Sequence, residues 1–311
     1  MAVYFLFFIM PISTKAQQLP QYSNYLFNNY GINPAFVNKG SCLEIRVGQR
    51  KQWIGFPNAP QTTFLSTNKI FGKKPFRNSW HGAGFYLEQD KQEFMKTEAF
   101  YPSYSFHLRV AEGYTASFGI FTGIKLISAS NGLFDASDPA FTFSERVIVV
   151  PDLVTGARLY SKENFFDLSV RQIYKNKIQL GKKKIGTPSK LVPHINFMMG
   201  RRIESKAYYY SYLPSVNLKF AFFAPPAVDL SFMMFVKNQI GFGLSYRYND
   251  AIIGMLQFKY KKLLTLALSY DYILSGIRLG ASQSREIMLG FSSCPPGQDL
   301  SKATGCPAYD H

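Results

Sequence analysis

Apolar and polar residues alternate along much of this chain with a period of two, the spacing of a β-strand with two unlike faces. Between Thr115 and Ser128, residues Ala116, Phe118, Ile120, Ile124 and Leu126 share one face. Thr115, Ser117, Gly119, Gly123 and Lys125 share the other, where Phe121 is the one bulky apolar exception. Val228, Leu230, Phe232, Met234 and Val236 oppose Asp229, Ser231 and Lys237 in the same way. Leu264, Leu266, Leu268, Tyr270 and Tyr272 oppose Thr265, Ala267, Ser269 and Asp271. The pattern predicts about fourteen strands, starting near residues 42, 60, 82, 98, 114, 152, 164, 191, 208, 227, 239, 251, 263 and 286.

A soluble sandwich alternates too, so alternation leaves the solvent open. Three features select a bilayer. The segments are about ten residues long, as a tilted membrane strand requires. Tyr and Phe gather at segment ends, as in YSYLPSVNLKFAFF and SYRYND, like interfacial girdles. Connections also alternate in length. Tight turns such as AEG, SKEN, KNQ and YKK fall at even positions, and the longest connections, 129–151, 175–190 and 273–285, fall at odd ones. Short periplasmic turns, longer outer loops and an even strand number describe a transmembrane, antiparallel, up-and-down β-barrel. No internal repeat of fixed period supports a propeller.

Composition agrees with that architecture. Of 311 residues, 16% are aromatic and only 17% charged, against about a quarter charged in ordinary soluble domains. The run MAVYFLFFIMPISTKAQQ carries Thr14 and Ala16, small residues at the places a signal peptidase reads. The expected organisation is a signal peptide over 1–16, a periplasmic N-terminal segment over 17–40, the barrel over 41–292 and a tail over 293–311. Cys294 and Cys306 could pair in an oxidising compartment.

The formal charge of +16 raises nucleic acid as a partner, because basic clusters bind phosphate. Its densest cluster, Lys175, Lys177, Lys182, Lys183, Lys184 and Lys190, falls in a predicted outer loop. An exported chain meets lipid phosphate or an acidic partner there, not nucleic acid; a solvated loop accounts for the cluster equally well. Catalytic spacing is absent: the four histidines form no metal pair, and there is no nucleophile elbow or phosphate loop. Asp135 and Asp138 match no standard calcium loop. The chain is expected to be non-enzymatic and without a cofactor. Inward charges such as Asp229, Asp271, Arg171 and Arg247 are expected to pair within the lumen.

Two stretches stand out together, PQYSNYLFNNYGINPAF (Pro20 to Phe36) and RKQWIGFPNAPQTTFLS (Arg50 to Ser66). The first carries Pro20, Gln21, Tyr22, Ser23, Tyr25 and Asn28, then Asn33, Pro34 and Ala35. The second carries Arg50, Gln52, Trp53, Gly55, Phe56, Ala59, Pro60 and Thr62. This ordered pair resembles the PorP/SprF family of Bacteroidetes outer-membrane proteins. The resemblance implies a component of the type IX secretion or gliding machinery, embedded in outer-membrane lipid. It further implies that the protein helps secrete, or holds at the surface, a large protein bearing a C-terminal sorting domain, with periplasmic machinery as a further partner. Gly55, Pro57 and Pro60 predict a turn that cannot extend a ladder. The hairpin reads equally as an aromatic-girdled element that fixes register and as a docking surface. Asn33-Pro34-Ala35 reads as an anchor for the N-terminal segment, inside or beneath the barrel. A general porin is the alternative function, and a soluble secreted adhesin a third; bulky and charged lumen residues favour anchoring over conduction.

Overall fold

The computed structural model describes residues 19–37, 43–72, 78–93, 95–129, 146–178, 189–205, 209–222, 224–261 and 263–293. Fourteen antiparallel strands form the wall. In chain order these are β1 (Leu43–Ile54), β2 (Gln61–Phe71), β3 (Ser79–Gln92), β4 (Met95–Ala111), β5 (Tyr114–Ala129), β6 (Arg146–Tyr160) and β7 (Asn164–Arg171). They continue as β8 (His194–Arg201), β9 (Tyr210–Ala221), β10 (Ala227–Val236), β11 (Ile240–Arg247), β12 (Ala251–Tyr260), β13 (Leu264–Ile273) and β14 (Gln283–Ser293). Each pairs with its sequence neighbours, and β1 closes on β14 through a ladder running from Leu43↔Ser293 to Ile54↔Gln283. Closure gives every strand of the ring a neighbour on both sides, as the hydrocarbon core demands. Two accessory pairings lie outside this ring: Lys177–Ile178 with Ser189–Lys190, and Ile203–Glu204 against β9.

The alternation predicted from sequence resolves into a lipid face and a lumen face. In β10, Leu230 and Phe232 point out, while Asp229, Ser231 and Met233 are buried inside. In β13, Leu264, Tyr270 and Tyr272 are exposed, and Ala267, Ser269 and Asp271 are buried. Tyr246, Tyr248, Tyr270 and Tyr272 ring one end of the wall, and Tyr209, Tyr210 and Tyr260 mark the other. The β10–β11 connection turns on Lys237 and Asn238, with φ of 48° and 54°. Two successive left-handed residues make the tight turn whose twist suits a hairpin.

Some boundaries differ from expectation. The long connection placed over 129–151 is shorter, because β6 begins at Arg146 and pairs with β5 from Ala129↔Arg146 onward. A β-branched run, Val147 to Val150, satisfies its ladder there. The β3–β4 connection is tight although it lies on the long-loop side.

The sequence leaves the N-terminal segment either inside or beneath the barrel. Residues 19–37 run inside it, and every residue from Tyr22 to Val37 is buried. This strap has one short helical turn, Asn29–Ile32, and is otherwise irregular. Its Tyr25, Phe27, Tyr30 and Phe36 join inward Phe64, Tyr86, Tyr101 and Phe121 in one hydrophobic core. Phe121, the exception in the β5 pattern, stacks on Tyr86 and meets Tyr30 edge-on. An apolar residue on the lumen face is favourable here because the lumen is filled with protein rather than water.

Candidate functional site

The two sequence motifs meet inside the barrel. Arg50 lies on the lumen face of β1, opposite Glu286 of β14, and is 1% exposed. Its Nη1 donates to Glu286 Oε2 at 3.0 Å and to Ser23 Oγ at 2.8 Å, while Nη2 donates to Asp271 Oδ2 at 2.6 Å. Ser23 then donates its hydroxyl to Asp271 at 2.6 Å and its backbone N–H to Glu286 at 2.9 Å. The strap's Pro-Gln-Tyr-Ser motif is therefore bound through the Arg of the hairpin motif. Charge-assisted hydrogen bonds of this kind are about twice as strong as neutral ones.

The network continues around the wall because registered neighbours carry opposite charges on the lumen face. Asp229 stands opposite Arg247, with Nε donating at 2.9 Å, and also accepts from Lys219 at 2.7 Å. Arg158 stands opposite Asp167, 3.1 Å apart. Lys125 meets Asp152 at 2.9 Å, and Tyr101 donates to the same carboxylate. Arg247 lies 3.8 Å from Asp271 and Arg171 lies 3.9 Å from Glu88, so the lumen charges named from sequence do pair. Among the described residues, seven buried Arg and Lys face eight buried Asp and Glu. The buried charges nearly cancel, so the formal +16 of the chain comes from its other residues.

Asn33, Pro34 and Ala35 sit against bare wall. Asn33 Nδ2 donates to the Ala157 carbonyl at 3.1 Å, and its Oδ1 accepts from the Ala35 N–H at 2.9 Å. A Cβ on Gly119 would overlap Pro34 and the Ala35 nitrogen, and one on Gly156 would overlap the Asn33 amide. The small-residue positions of β5 and β6 are therefore the seat of this motif. Phe36 follows, with the Arg158 guanidinium 4.1 Å from its ring centroid. Gly119→Val is expected to cost about 1–3 kcal/mol by overpacking and to loosen the strap. Limited proteolysis of the refolded variant, which should cut between residues 19 and 37 where the parent resists, checks this.

The rest of the hairpin motif lies at the mouth. Gln52 is buried and its N–H donates to the Pro60 carbonyl at 2.9 Å. Trp53 occupies a bulge with φ 51°, half-buried, its N–H donating to Ser284 Oγ at 3.0 Å. Gly55 adopts φ 127°, which a side chain would strain. Phe56 is exposed but leans on Gly280, so the β1–β2 tip braces the β13–β14 connection. Ala59 and Pro60 are half-buried at the start of the return strand.

Lys175, Lys177 and Lys190 are exposed beside this mouth. Lys182, Lys183, Lys184, Asp135, Asp138, Cys294, Cys306 and the segment 1–16 lie outside the described residues. Sequence reasoning named the lumen charges but missed Ser23, Glu88 and Glu286 as their partners. Inward parity on β3 and β14 was the available signal for the two acids; nothing local marked Ser23.

Three comparisons bear on this arrangement. A family model described as type IX secretion system membrane protein PorP/SprF matches residues 14–291. The fold resembles the toluene transporter TodX of Pseudomonas putida, with TM-score 0.50, 9% identity, and 87% of this chain and 93% of that one covered. A FadL homologue from Pseudomonas aeruginosa aligns at TM-score 0.49 and 10% identity over 88% and 94% of the two chains. At such identity the likeness concerns the fold alone. No curated protein matches the sequence significantly.

Proposed function

The chain belongs to the PorP/SprF family of type IX secretion system membrane proteins, and from that premise we propose that it is a non-enzymatic docking platform in the outer membrane. It supports secretion or surface retention of a large protein bearing a C-terminal sorting domain, and it contacts the periplasmic secretion machinery. The observation that carries the platform reading is the filled lumen: sixteen consecutive strap residues are buried inside the barrel. A conduit for polypeptide, or a general porin, requires open cross-section that the strap occupies. Docking then belongs to the mouth, where a half-buried Trp53 and an exposed Phe56 sit on a hairpin braced on the β13–β14 connection.

Gene deletion followed by a comparison of surface and culture-fluid proteins tests this reading. Selective loss of one or a few large sorting-domain proteins, restored by the parent gene, is the expected result. An unchanged profile with altered uptake of a small solute would replace it with the porin reading. Complementation with Trp53→Ala plus Phe56→Ala separates the two views of the hairpin. If these aromatics are interface anchors, at about 2 kcal/mol or more each, the double variant inserts normally but fails to restore the cargo. Full restoration would leave the hairpin as a register-fixing girdle.

A further inference from the structure

A cavity of about 300 Å³ opens at the mouth between the start of the strap, the approach to β8 and the β9–β10 connection. Leu19, Ile32, Val192, Phe222 and Pro225 contribute to its walls. Arg171, at the end of β7, also lines it and is 6% exposed. Its Nε and Nη2 are buried with no hydrogen-bond acceptor. Among the described residues its one ion-pair partner is Glu88, whose Oε1 lies 3.9 Å away, too far for a hydrogen bond. Glu88 is otherwise engaged, since its Oε2 accepts from both Tyr22 and Tyr86 at 2.8 Å.

A second donor in the cavity is in the same condition. Asn196 Nδ2 is buried without an acceptor. The β7–β8 register puts His194 opposite Arg171, and Asn196 is the next residue on the same face. Two other polar groups here already have partners: Lys219 Nζ holds Asp229 at 2.7 Å, and His194 Nδ1 holds the Val192 carbonyl at 2.7 Å. Orphaned buried donors are costly, and more so when charged. Both of these belong to residues that line one largely apolar space, which calls for an acceptor that arrives with an apolar body.

We propose that this cavity binds a small apolar carboxylic acid as its anion, the carboxylate accepting from Arg171 and Asn196 and the body lying against Leu19, Val192 and Pro225. The planar guanidinium fork matches a carboxylate in geometry. A phosphate dianion would bring more charge than the apolar walls and the single under-bonded cation can offset. The site is separate from the hairpin and stands or falls independently of the docking function.

The test uses the full mature barrel in detergent and 4-phenylbutyrate, which is soluble and does not form micelles at the concentrations needed. Saturable one-to-one binding by calorimetry is expected, with 4-phenylbutyramide at least tenfold weaker. Arg171→Met should lose at least tenfold. Val192→Trp, which fills the space from a connection rather than from a strand, should abolish binding while leaving heat-modifiable migration unchanged. The second variant decides the matter if the first does not fold. No saturable binding, equal binding of acid and amide, or full binding by Val192→Trp would overturn the proposal. A short apolar peptide tested with free and amidated C-terminus distinguishes the source. A tenfold preference for the free acid admits a polypeptide terminus, whereas exclusion of both peptides limits the site to small acids, and either outcome upholds a carboxylate site.

Discussion

Replacing Arg50 with methionine is expected to lower barrel stability by about 3–5 kcal/mol, the cost of removing one partner from a buried ion pair. The side chain is 1% exposed and bonds Asp271, Glu286 and Ser23. Without it, two buried carboxylates lose the cation between them, although Arg247 remains 3.8 Å from Asp271. Denaturant titration of the folded barrel in detergent, read by heat-modifiable migration, measures the effect. Adding Glu286→Gln should recover part of the loss, because only one carboxylate is then left without Arg50, and Arg247 stays near it. A single-variant cost below about 1 kcal/mol would match a surface pair instead and would contradict the buried geometry.

Excision of residues 19–37, with the segment before them retained, is expected to convert a closed barrel into a conducting one. Parent protein in planar bilayers should show no steady current steps; the excised form should show steps typical of a water-filled lumen. The same variant should lose stability heavily. Tyr22, Tyr25, Leu26, Phe27, Tyr30 and Phe36 are all buried, and full burial of a large apolar side chain contributes about 1.5–3 kcal/mol. Glu88, Glu286, Arg46 and Asp271 would lose strap partners as well. If the excised barrel stays closed, inward aromatics such as Phe64, Tyr86 and Phe121 block the lumen without help, and the strap serves stability alone. Conductance in the parent would argue against a platform and for a channel.

Much of the wall was legible along the chain. The alternation in Val228–Val236 and Leu264–Tyr272 placed each residue on its observed face, because side-chain direction in a strand has a strict period of two. Strand number and the parity of long connections followed from the same pattern. The lumen charges could be named because a charged residue on an alternating strand has only the inward face available in a bilayer. Phe121 was legible only as an anomaly. Its reason lies in Tyr30, ninety-one positions away in sequence and 5.2 Å away between ring centroids.

By itself the sequence determined the solvent, the barrel and the two motifs that mark the family. Each of these depends on local periodicity or on residues close together in the chain. Only the tertiary structure decided where the motifs go. Pro20 to Phe36 has no period, so nothing local distinguishes a segment beneath the barrel from one inside it. Its place is set by a wall assembled from residues up to 263 positions away, as with Ser23 and Glu286. Closure of β1 on β14 brings Arg50, Asp271 and Glu286 to one point and leaves Gly119 and Gly156 bare for Asn33-Pro34-Ala35. Burial of the strap's aromatics and pairing of those charges favour the same position, and neither exists until the ring has closed.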